Sequence, residues 1–69
     1  MAREKSLTLA IARAKRNIGK YAAVDNILDA AYEYNLRKDE LKALVDSVNK
    51  YAVKNYYDTV EYERVIANF

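Results

Sequence analysis

The sequence lacks most of the residues on which protein chemistry commonly depends. Its 69 residues include no cysteine, histidine, proline or tryptophan, and only one glycine. Without cysteine there is no disulfide and no thiolate nucleophile, and without Cys and His a zinc site loses its usual ligands. Histidine is also missing as a general base near neutral pH, and a single glycine cannot build a phosphate-binding loop. The sequence therefore predicts a protein that is not an enzyme, with no catalytic, cofactor-binding or metal-binding residues.

Long apolar runs are also missing. No stretch approaches the roughly 18 apolar residues of a membrane-spanning helix. At the N-terminus, Arg3, Glu4 and Lys5 introduce charge at once, and no apolar segment leads to a small-residue cleavage site. We therefore expect a cytoplasmic protein without a membrane segment.

Residues that break helices are scarce, so helices with short connections are expected. Apolar residues recur at helical spacing in four segments, which predicts helices over about residues 4–18, 21–34, 38–54 and 58–68. The apolar stripe changes direction at Gly19, which predicts a break there. We expect one all-α domain over residues 1–69, a small bundle of four short helices. The predicted core faces contain Leu7, Ala10, Ile11, Ala14, Ile18, Val24, Ile27, Leu28, Ala31, Tyr34, Leu41, Leu44, Val45, Val48, Ala52, Tyr62, Val65, Ile66 and Phe69.

The second half of the chain permits two interpretations. Residues 58–61, Asp-Thr-Val-Glu, have the spacing of a capping box, which would begin a fourth helix at Asp58. Alternatively, a seven-residue spacing from Leu41 to Phe69 fits one continuous helix from Lys38 onward. That helix would bury Asp58 in its seam without a partner, which is costly. We therefore prefer four short helices to three with a long kinked third.

The joint at Asn35–Leu36 resembles a helix-turn-helix. Asn35 tolerates the left-handed conformation that ends a helix, Leu36 would plug the turn into the core, and Ala31 allows close helix approach. Asp39 and Glu40, at the start of the helix that follows the joint, would repel phosphate groups. A protein with a net charge of +2 also gains little binding free energy from the release of counterions. DNA binding is therefore the alternative function rather than the first. Its candidate residues are Arg13, Arg16 and Lys20 on the basic face of the first helix and Arg37, Lys38 and Lys42 at the joint.

Acidic residues follow the outer faces of the predicted helices. Acidic residues recur every four positions at Asp25, Asp29 and Glu33. We expect them to form ion pairs with the basic face of the first helix or to be solvated, rather than to bind a metal. On the third helix, Asp46 is spaced to pair with both Lys42 and Lys50.

Tyrosine is unusually abundant in this sequence, with seven residues compared with one phenylalanine. Tyr34 and Tyr51 fit core edges, whereas Tyr21, Tyr32, Tyr56 and Tyr57 are harder to bury together. Exposed tyrosine is enriched at protein–protein contacts. We expect a small non-catalytic regulatory protein, such as an inhibitor, adaptor or accessory factor, that docks on a protein partner. A DNA-binding helix-turn-helix-like regulator and a self-assembling structural subunit, for example a homodimer, are the alternatives. The protein-interface candidates are Tyr21, Tyr32, Tyr56, Tyr57 and Leu9.

Overall fold

The protein folds as an α-helical bundle in its computed structural model, which describes residues 3–18 and 24–69. A single 3-10 turn over Lys38–Glu40 leads into the third helix. Within the described ranges there is no β-strand, so the predicted small all-α bundle is confirmed. The predicted break at Gly19 lies outside the described residues, as do Lys20 and Tyr21. The helices are α1 (Arg3–Arg16), α2 (Val24–Glu33), α3 (Leu41–Lys54) and α4 (Tyr62–Ala67).

Helices α2 and α3 each pack against the other three helices, and α3 contributes most of the large side chains that are fully buried. All five residues predicted for its core face are buried, none more than 1% exposed, and Tyr51 lies half-buried at the edge as expected. The predicted faces of α1, α2 and α4 also turn toward this core. The apolar spacing therefore predicted the buried face of α3 correctly. The residues of the α3 face are Leu41, Leu44, Val45, Val48 and Ala52.

Alanine makes up much of the core where helices α1 and α2 contribute to it. Ala10, Ala14, Ala30 and Ala31 are all fully buried. Helices with small residues at their contacts approach more closely than helices with large ones. The molecule is correspondingly thin, measuring 35 × 22 × 15 Å. At the end of α1, the Asn26 side chain donates to the Ala14 carbonyl at 2.9 Å and satisfies a group with no intrahelical partner.

Helix α2 ends in a Schellman motif centred on Asn35. The Asn35 backbone has φ 55°, in the left-handed region. The Leu36 N–H donates to the Ala31 carbonyl at 2.9 Å, and the Asn35 N–H donates to the Tyr32 carbonyl at 3.2 Å. Leu36 is 5% exposed. The predicted roles of Asn35 as the turn residue and Leu36 as the plug are therefore confirmed.

Helix α3 ends in the same motif, with Tyr56 in the left-handed position at φ 62°. The Tyr57 N–H donates to the Ala52 carbonyl at 2.8 Å, and the Tyr56 N–H donates to the Val53 carbonyl at 3.1 Å. These bonds turn the chain out of the helical path directly after Lys54. The alternative of one continuous helix toward the C-terminus is therefore wrong.

Helix α4 begins at Tyr62, so the capping box predicted at Asp58 is wrong. The cause is Val60, which is buried and held by the side-chain amide of Asn49. The Val60 N–H donates to Asn49 Oδ1 at 2.9 Å, and Asn49 Nδ2 donates to the Val60 carbonyl at 2.7 Å. The two groups are thereby satisfied by a side chain of α3, and Glu61 still has extended backbone angles (φ −80°, ψ 135°). We call this pair of hydrogen bonds the Asn49 clamp.

Replacing Asn49 by alanine should lower the free energy of unfolding by about 2–3 kcal/mol. The substitution removes two hydrogen bonds and leaves two polar groups of a buried residue without partners. Urea denaturation measures the change. Asn68→Ala is the matched control, since the Asn68 amide makes one exposed bond to the Arg64 carbonyl and its loss should cost less than about 0.5 kcal/mol. Equal losses in the two variants would contradict a special role for the clamp.

Candidate interaction surfaces

Large apolar side chains remain exposed at three places on the described surface. Leu9 on α1 is 41% exposed. Tyr32 at the end of α2 is 54% exposed and lies beside Phe69, which is 39% exposed. Val53 and Tyr56, at the end of α3, are 64% and 97% exposed. Of the predicted protein-interface residues, Leu9, Tyr32 and Tyr56 are thus accessible to a partner.

The rings of Tyr32 and Phe69 form a stacked pair on the surface. Their centroids are 5.5 Å apart and their planes differ by 10°. The Tyr32 hydroxyl also donates to the Phe69 carbonyl at 3.2 Å. The pair joins residues at the ends of α2 and the chain, so it serves intramolecular packing as well as exposing a ring face. Phe69, which was predicted for the core, lies at its margin instead.

The neighbouring Tyr56 and Tyr57 have different environments. Tyr57 follows the left-handed residue and is half-buried against the core, in the place that Leu36 takes after α2. Tyr56 is almost fully exposed and holds a positive φ. For a bulky side chain this conformation costs roughly 1–2 kcal/mol, a cost that glycine avoids. The conformation of Tyr56 therefore destabilises the folded state while its ring remains exposed, whereas burial of the Tyr57 ring stabilises the folded state.

Several of the candidate nucleic-acid-binding residues have carboxylate partners. Arg13 turns toward α2 and forms an ion pair with Glu33, as was expected for the acidic row. Arg37 Nε lies 3.7 Å from Asp39. Such pairing lowers the positive charge that these residues can present to phosphate. Arg16 and Lys38 are exposed and form no ion pair within the described residues.

Lys42 on α3 also interacts with neighbouring side chains. Its ammonium group lies 3.4 Å from Asp46 and 5.4 Å from the centroid of the Tyr62 ring. The predicted Lys42–Asp46 pair is thus confirmed, but Asp46 makes no corresponding pair with Lys50. Lys42 therefore links α3 to α4 rather than standing free at the joint.

The acidic residues at the start of α3 have a structural role. The Arg37 N–H donates to the Glu40 carboxylate at 2.7 Å, and the Glu40 N–H donates to the Arg37 carbonyl at 2.9 Å. A carboxylate at a helix N-terminus also complements the helix dipole. Glu40 therefore closes the 3-10 turn that leads into α3 and places a negative charge at the start of this helix, where a phosphate from DNA would otherwise be favoured.

Besides Arg13, cations lie at the C-terminal ends of α1 and α3, and of these only Arg16 was a candidate from the sequence. Lys15 on α1 lies with its ammonium 5.6 Å from the centroid of the Tyr51 ring on α3. This contact places the C-terminal ends of α1 and α3 side by side. We call the cations at these two ends the basic patch; it consists of Lys15, Arg16, Lys50 and Lys54. The sequence signal was the presence of Lys15 and Arg16 in the last turn of α1 and of Lys54 in the last turn of α3.

Comparisons with known proteins assign no family to the chain: no family model, no curated protein and no solved structure matches it. Among residues 3–18 and 24–69, no helix is long and apolar enough to cross a membrane. The same residues contain no group of three carboxylates close enough to share a metal ion. The functional assignment therefore depends on the surfaces described above.

The two stacked rings should stabilise the fold cooperatively. Tyr32→Ala and Phe69→Ala should each lower the free energy of unfolding, and the double variant should lose about 0.5–1 kcal/mol less than the sum of the two. A double-mutant cycle by urea denaturation measures this coupling. Strictly additive losses would show that the rings do not interact in solution.

Tyr56 and Tyr57 should respond to substitution in opposite directions. Tyr56→Gly should raise the free energy of unfolding by about 0.5–1 kcal/mol, because relief of the left-handed conformation outweighs the entropy that glycine adds to the unfolded chain. Tyr57→Ala should lower it by about 1–2 kcal/mol through lost burial. Thermal unfolding of both variants tests the prediction, and destabilisation by Tyr56→Gly would contradict it.

Proposed function

We propose that this protein is a non-catalytic regulator that docks on a protein partner through the C-terminal end of α3. The interface is centred on Tyr56 and the nearby Val53. We call these two residues the α3 anchor. The single observation that supports this most is that a bulky ring stands fully exposed in a strained backbone position. Strain of this kind persists where the surrounding structure holds it in place, and it concentrates at functional positions.

The chemistry of the α3 anchor suits a protein interface. Tyrosine supplies a large ring with a polar tip and is enriched among the residues that dominate binding energy. Val53 adds an aliphatic side chain of which 64% is exposed. Both side chains are presented at the end of a helix that is buried on the opposite face, so little rearrangement is needed before docking.

Docking on DNA through the Asn35–Leu36 joint has weaker support. Arg37 and Lys42 lie within ion-pair distance of Asp39 and Asp46. The Glu40 carboxylate accepts a hydrogen bond from the Arg37 N–H and adds a negative charge at the start of α3. A helix that enters the major groove relies on free polar and basic side chains near its N-terminus. We therefore propose that the Asn35–Leu36 joint serves the packing of α2 against α3 rather than DNA binding.

Capture of a partner from the native host's lysate tests the proposal. The immobilised wild-type chain should retain a specific protein, and the Tyr56→Gly variant should lose most of that retention. Because the same substitution is expected to stabilise the fold, unfolding cannot account for the loss.

A matched control comes from the other Schellman motif. Asn35→Gly places glycine at the equivalent left-handed position after α2 without removing an aromatic ring, and it should leave capture unchanged. Equal capture by the wild-type and Tyr56→Gly chains would refute the assignment of the α3 anchor. Loss of capture in both glycine variants would also refute it, since it would attribute the effect to the backbone.

A further inference from the structure

The basic patch is not neutralised by its own surroundings. Lys15, Arg16, Lys50 and Lys54 form no ion pair within the described part of the chain, although Lys15 contacts the Tyr51 ring. Their positions partly reflect the helix dipole, which favours cations at a C-terminus. Each dipole end carries about half a negative charge, so two adjacent ends offset about one of the four positive charges. A positive surface remains.

This positive surface is continuous with the α3 anchor. Lys50 and Lys54 are one turn apart on the exposed face of α3. At helical spacing they fall between Val53 on one side and Tyr51 on the other. Tyr56 follows in the turn that ends the helix. The lysine pair therefore lies between the α3 anchor on one side and the C-terminal end of α1 on the other.

Among residues 3–18 and 24–69, two carboxylates without an ion-pair partner lie at the margins of this region. Asp58 is exposed two residues beyond Tyr56, and Asp25 is exposed in the first turn of α2, next to the residue that binds the Ala14 carbonyl. Neither forms an ion pair with the basic patch. Asp46 is also exposed, one turn before Lys50 on α3, but its carboxylate is paired with Lys42 at 3.4 Å. The four cations therefore outnumber these two unpaired carboxylates among the described residues, and the region stays positive.

We infer that the partner surface received by the α3 anchor is acidic, with Asp and Glu side chains surrounding an apolar contact. The inference rests on the proposed function and adds the chemical class of the partner. The carboxylates would approach Lys50 and Lys54, while the apolar contact covers Tyr56 and Val53. Complementary charge of this kind speeds association and selects among partners more than it adds affinity.

A protein partner fits this surface better than a nucleic acid. Single-strand binding uses aromatic rings as stacking platforms along a continuous basic groove. Here the exposed ring follows the lysine pair at one end, and the aliphatic side chain of Val53 lies beside the pair. The α4 side of the molecule carries two exposed carboxylates, Glu61 and Glu63, against one exposed cation, Arg64, so it does not continue the basic surface for an extended phosphate backbone.

Nuclear magnetic resonance titration of the full chain tests the inference. The first probe is a synthetic peptide of about eight residues, in which Asp and Glu flank a central Leu-Phe pair. Its addition should shift the amide signals of Lys15, Lys50, Lys54 and Tyr56. Raising NaCl from about 50 mM to about 300 mM should weaken binding several-fold, since exposed charges are screened over this range. The second probe, single-stranded oligo(dT) of about 12 nucleotides, should bind more weakly than the peptide.

A pair of charge-reversal variants supplies the control. Lys50→Glu with Lys54→Glu should weaken peptide binding roughly tenfold or more. Lys5→Glu with Lys38→Glu makes the same change at the opposite ends of α1 and α3 and should leave binding nearly unchanged. Each pair takes the net charge from +2 to −2, because every exchange removes a positive charge and adds a negative one. Equal weakening by the two pairs would overturn the inference, because only net charge would then matter.

Further outcomes separate this inference from the proposed function. Tighter binding of oligo(dT) than of the peptide, or no peptide shifts at millimolar concentration, would overturn the acidic-partner inference. Lysate capture that survives Lys50→Glu with Lys54→Glu but fails with Tyr56→Gly would also overturn it, while the docking function would stand. Capture that survives every one of these changes would refute the proposed function itself.

Discussion

The burial of one face of α3 against three other helices is the constraint on which the whole structure depends. The chain has no disulfide, and a domain of this size hides only about 60% of the surface that its unfolded chain exposes. Four of the six largest side chains that are fully buried in the described structure belong to α3, and buried alanines on α1 and α2 allow those helices to approach closely. The remaining faces of α3 are consequently free to carry charge and aromatic rings, and the candidate interaction surface is found there.

Local sequence patterns were sufficient for the parts of the fold that depend on neighbours along the chain. Helical spacing identified the α3 face, and the preference of asparagine for a left-handed position located the end of α2 at Asn35. Both are decided within a few residues. The predicted end of the third helix at residue 54 is also confirmed, but tyrosine has no such preference, so the left-handed conformation of Tyr56 could not be predicted from residue type.

Contacts between distant residues account for the features that the sequence did not reveal. The Asn49 clamp joins residues 11 positions apart and overrides a capping signal at Asp58 that is well formed in sequence. The candidate interaction surface has the same origin. Lys15 and Tyr51 are far apart in the chain, and only the packing of α1 beside α3 makes their charges and rings one surface. The tyrosine surplus indicated that an aromatic surface exists, but the tertiary fold decides which rings are on it.

Helix α4 has only six residues, too few to be stable as an isolated helix in water. It is secured at both ends, by the Asn49 clamp before its first turn and by the contact of Phe69 with Tyr32 after its last. A segment held in this way opens as one cooperative unit, because releasing either end leaves a helix that cannot persist alone. Residues 60–69 are therefore a unit of local unfolding, whose amide protons would exchange together and before those of α3.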